Sequence, residues 1–241
     1  MALVTCSNCG KQISDKAKKC IYCGCVLKED EEISMSAREA FNYACAKYEE
    51  AKDLIKELSV WTKTMVKDFS VEKALWHYDL FLQCILLRVA LKDGVFIENE
   101  KVFIEKITDY ADLMSLINSI MKDKYLSWRD VDWDDLVQMS QEARVKISDL
   151  ATLIMKDSAE SFVTPFAIID AATPREYIDE LRDITMAIVV GLAFVDGDSS
   201  KSEDFDAETQ EGADWFGTVI FQRWKEIKDK YGKEIKDKGK K

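Results

Sequence analysis

A chain of 241 residues, 47% hydrophobic and 33% charged, is long enough for one large or two modest domains and reads as folded and soluble rather than disordered. Two prolines and nine glycines are too few for the turn every 8–12 residues that sandwiches and barrels require, so a mainly α fold is expected. The net charge of −11 is uneven: residues 1–28 carry five lysines against one aspartate and residues 223–241 nine basic against four acidic side chains, which puts −20 on the span between them. Such a body repels phosphate backbones and suits cations or a basic partner.

Residues 1–28 contain Cys6-x2-Cys9, ten further residues, and Cys20-x2-Cys23. Each Cys-x2-Cys turn brings two sulfurs close enough to share one ion, and a short hairpin returns the second pair opposite, so the spacing is that of a four-cysteine Zn2+ site. Gly10 and Gly24 follow the two pairs, where a residue tolerant of positive φ lets backbone N–H groups turn toward the thiolates. Two disulfides, unpaired thiols, or iron in a rubredoxin-like site are the competing readings. The segment resembles the bacterial zinc-ribbon family, with short β-hairpins. Ser7 departs from that pattern, where proline is common. Four thiolates around Zn2+ leave −2, which Lys11, Lys16, Lys18 and Lys19 can offset; Cys25 reads as a packing residue. A closed four-sulfur shell has no open position for substrate, so the metal's role is structural.

Residues 29–35 form an acidic linker, and the span 36–230 reads as all-helical. Across 36–66, Ala37, Phe41, Ala44, Tyr48, Ala51, Ile55, Leu58, Thr62 and Met65 recur at alternating steps of four and three, with Ala40, Leu54 and Trp61 widening the stripe. That seam could pack on its own body or form a homodimer coiled coil. Ser70 is an N-cap for a second helix running through Trp76, Leu80, Cys84, Leu87 and Leu91 to Asp93-Gly94. His77 is the sole histidine and has no catalytic partner beside it in sequence.

Short helices are expected over 98–110 and 111–122, then a turn region with Trp128 and Trp133. Asp132-x-x-Asp135 starts a helix to Met155, and a break is expected near Lys156–Ser161. Thr173, Pro174 and Glu176 read as N-cap, N1 and capping-box residues of a helix through Tyr177, Leu181, Ile184, Ile188 and Leu192. Ser200-x-x-Glu203 opens another helix to Ala213. A last helix, Trp215–Lys230, leads into a lysine-rich tail, 231–241.

The two Asp-Gly sites align. Asp93 and Glu100 fall on Asp196 and Glu203, seven residues apart both times, and Val89-Ala90-Leu91 falls on Leu192-Ala193-Phe194. This suggests a pseudo-repeated helical bundle. Residues Val89–Ile107 and Tyr177–Glu203 resemble the TerB-like domains of tellurite-resistance and related bacterial stress proteins. That resemblance implies a non-enzymatic helical module, a cation-binding acidic surface, and a role in stress or phage-defence assemblies. Read from the residues alone, one reading has Asp93 and Asp196 simply ending their helices, with Glu100 and Glu203 serving the next N-termini. Alternatively, Asp196, Asp198 and Ser200 copy the first ligand positions of a Ca2+ loop, which then fails at Lys201 and Ala207. A weak, open site for Ca2+ or another divalent cation is the sharper reading.

No charged segment followed by an apolar stretch opens the chain, and no transmembrane segment is expected. The longest apolar run, Ile184–Val195, would span ~18 Å as a helix against a bilayer core of ~30 Å. A cytoplasmic protein is therefore expected. No phosphate loop, nucleophile elbow or histidine-containing metal triad is present, which argues against an enzyme. Protein partners are the leading expectation, with nucleic-acid contact through the ribbon as the alternative.

Overall fold

The computed structural model of the protein describes residues 3–5, 12–14, 36–91, 96–125, 127–195, 214 and 216–238. The chain divides into two compact units, Met1–Met35 and Ser36–Lys241. In the first, β1 (Leu3–Thr5) pairs antiparallel with β2 (Gln12–Ser14), Leu3 opposite Ser14 and Thr5 opposite Gln12.

The second unit is mainly helical. Its elements are α1 (Ala37–Met65), α2 (Val71–Ala90), α3 (Glu98–Lys106), α4 (Leu113–Lys124), α5 (Trp133–Gln138), α6 (Gln141–Ala172) and α7 (Tyr177–Ala193). A π-helical turn, Phe216–Phe221, then runs into α8 (Gln222–Lys238). Fourteen of the twenty residues of α2 are buried, so this helix is enclosed nearly all round and forms the centre of the body. Helix α6 lies along it, and α1 packs on α7 and α6. Phe81 of α2 meets Phe162 of α6 at 5.2 Å and Phe216 at 6.0 Å between ring centroids, joining three elements in one aromatic cluster.

Helix α1 starts as its sequence dictates. Ser36 Oγ accepts from the Glu39 N–H, and the Glu39 carboxylate accepts from the Ser36 N–H, a reciprocal cap. The seam residues Ala44, Tyr48, Ala51, Ile55, Leu58 and Thr62 are buried within the chain, while Trp61 lies off the stripe, 64% exposed. The alanines have a steric cause. A Cβ on Gly191 of α7 would stand 3.0 Å from Ala44 Cβ and 3.3 Å from the Ala40 carbonyl oxygen, so the two helices meet almost backbone to backbone.

Several boundaries differ from expectation. The helix from Asp132 stops at Gln138. Asp132 and Asp135 do form the expected reciprocal cap. However, Ser140 caps a new helix, and Arg144 donates from Nε to the Leu136 carbonyl and from Nη2 to the Val137 carbonyl, closing α5. The break expected at Lys156–Ser161 is absent, since α6 passes unbroken through Pro165. The lost bond to the Ser161 carbonyl is outweighed by burial of Met155, Ala159, Phe162, Val163, Phe166 and Ala167 along the same helix. Thr173 ends α6 instead of opening α7, whose N-terminus lies at Tyr177. Helix α8 continues to Lys238, so the tail expected from residue 231 begins as helix. The helix expected between Ser200 and Ala213 lies outside the described residues.

Candidate metal centre and the Asp-Gly turns

Thr5 pairs with Gln12, so the hairpin closes on the six residues Cys6–Lys11, which carry the first Cys-x2-Cys pair. Cys6, Cys9, Cys20 and Cys23 themselves lie outside the described residues. The donor set fits zinc: four soft thiols in two x2-spaced pairs, one of them between paired strands. A zinc ion held there would supply a cross-link for a unit with little core of its own, and no reactive coordination position.

Of the residues at the Asp-Gly turns, Asp93, Asp196, Asp198, Ser200 and Glu203 also lie outside the described residues, and Glu100 is described. Its carboxylate accepts from the Ile97 N–H at 2.9 Å, which is half of a reciprocal cap. Ile97 has no hydroxyl with which to complete the pair. The next contact was not foreseen: Asn99 Nδ2 donates to the Val195 carbonyl at 3.2 Å. The start of α3 therefore touches the chain just past α7, at Val195. No pattern in either segment announces this bond. Among the described residues, no group of three or more His, Cys, Asp or Glu side chains is placed to share a metal ion.

Two buried carboxylates escaped the sequence reading. Asp170, at the end of α6, accepts from the Tyr177 and Ile178 N–H groups and from Trp224 Nε1–H, so one side chain caps α7 and anchors α8. Burial pushes its carboxyl above the ordinary range, against the pull of those donors and of Lys228. Asp79 of α2 accepts from the Tyr48 hydroxyl and from the Asp109 and Tyr110 N–H groups. Apolar neighbours, Leu80-Phe81-Leu82 after Asp79 and Ala167-Ile168-Ile169 before Asp170, are the signal that each residue gives.

His77 is half-buried with its ring edge-on to Trp76 at 4.9 Å, and its Nδ1 has no hydrogen-bond partner among the described residues. Burial and then Lys73 lower its pKa, which favours the neutral ring. A shallow groove of about 480 Å³ runs between α1 and α7, lined in part by Tyr43, Lys47, Glu50, Arg175, Glu180 and Asp183. Its charges are largely matched internally, Lys47 to Glu50 and Arg175 to Glu180. No helix among the described residues is long and apolar enough to cross a membrane.

Comparison with known families matches residues 5–27 to the zinc-ribbon domain. No curated protein and no solved structure matches the chain. The chain thus carries an N-terminal zinc-ribbon domain ahead of a mainly helical body.

Proposed function

We propose that this is a non-enzymatic binding or scaffold protein that acts through protein–protein contacts. Its ribbon holds one structural Zn2+ on Cys6, Cys9, Cys20 and Cys23. The observation that carries this reading is the double Cys-x2-Cys spacing inside the zinc-ribbon match, with the first pair between strands paired at Thr5 and Gln12. The body is read as a TerB-like domain serving a cytoplasmic stress or phage-defence system. Support comes from α2 and α7, two buried apolar helices that each lead to an Asp-Gly, with Glu100 and Glu203 seven residues beyond the aspartates. The bond from Asn99 to Val195 joins the start of α3 to the chain just past α7.

The turns then offer a weak site for Ca2+ or a similar divalent cation, centred on Asp196, Asp198 and Ser200. Affinity in the millimolar range is expected, because the loop lacks a bidentate Glu in the last ligand position. Calorimetry checks this: the wild type should give a saturable Ca2+ heat that Asp198→Ala removes. Absence of heat in the wild type rejects the cation site.

The ribbon lysines favour one other reading, a regulatory protein whose ribbon contacts DNA or RNA. Retention on immobilised DNA as a function of salt separates the two. The scaffold reading expects none at ~150 mM salt, since a body carrying most of the acidic charge opposes it. Retention that falls steeply with added salt would establish phosphate contacts and overturn it.

A further inference from the structure

We draw no further inference here: the strongest candidate, the surface patch formed by the exposed Val60 and Trp61 near the C-terminal end of α1, is an apolar face with nothing in the structure to show what covers it.

Discussion

Removal of zinc is expected to dismantle the fold of residues 1–35 while leaving the helical signal of the body nearly unchanged. The two units are separately compact, and every helix among the described residues lies in Ser36–Lys241. A segment of 35 residues buries too little apolar surface to fold without a staple, whereas apparent binding energies of structural zinc in small domains run to roughly 10–16 kcal/mol. The purified chain should carry one zinc, released by thiol-specific reagent. Cys20→Ser should weaken its retention by more than about 100-fold, since altering even an outer partner of such a site costs 10–100-fold. Far-UV circular dichroism should then barely move on chelation, while amide NMR signals of the first unit collapse. A metal-free chain with two disulfides by mass spectrometry would remove the zinc and the structural role with it.

The second large effect falls in the helical body. Asp170→Ala should destabilise the body by about 3 kcal/mol. It strands three donors, the Tyr177 and Ile178 N–H groups and Trp224 Nε1–H, and buried orphaned donors cost about 1–3 kcal/mol each. The full sum is not expected, because deleting a desolvated carboxylate recovers part of its burial cost. For a body of this size the fall in Tm should be roughly 6–12 °C. Asp170→Asn should lose about half as much. Its carbonyl oxygen can take over the two bonds at Oδ2, while its amide group would face the Tyr177 N–H, donor against donor. Thermal or urea unfolding of the three proteins orders them, and an alanine variant as stable as wild type would show that Asp170 does not join α6, α7 and α8.

What could be read from the residue order was local. Caps with short reach, Ser70 with Lys73 and Asp132 with Asp135, lie where the sequence signals them. The apolar periodicity of α1 and the unbroken hydrophobicity of α2 also correspond to what each buries. The misreadings have a common origin in distant partners. Pro165 stays inside α6 because the surrounding core holds that helix together. Arg144 closes a helix that precedes its own, and Asp170 opens one that begins seven residues later. Propensity knows nothing of such partners. The zinc-ribbon domain was the reverse case, legible from cysteine spacing alone because thiolate geometry is imposed by a metal rather than by the rest of a fold.

The single amide of Asn99 on the Val195 carbonyl has an evolutionary corollary. A helix start held to the end of another helix fixes the length of chain that leads into it: an added residue ahead of Glu98 would pull on the bond. Descendants of this architecture should tolerate added residues in the Tyr125–Val131 connection far more readily than immediately before α3.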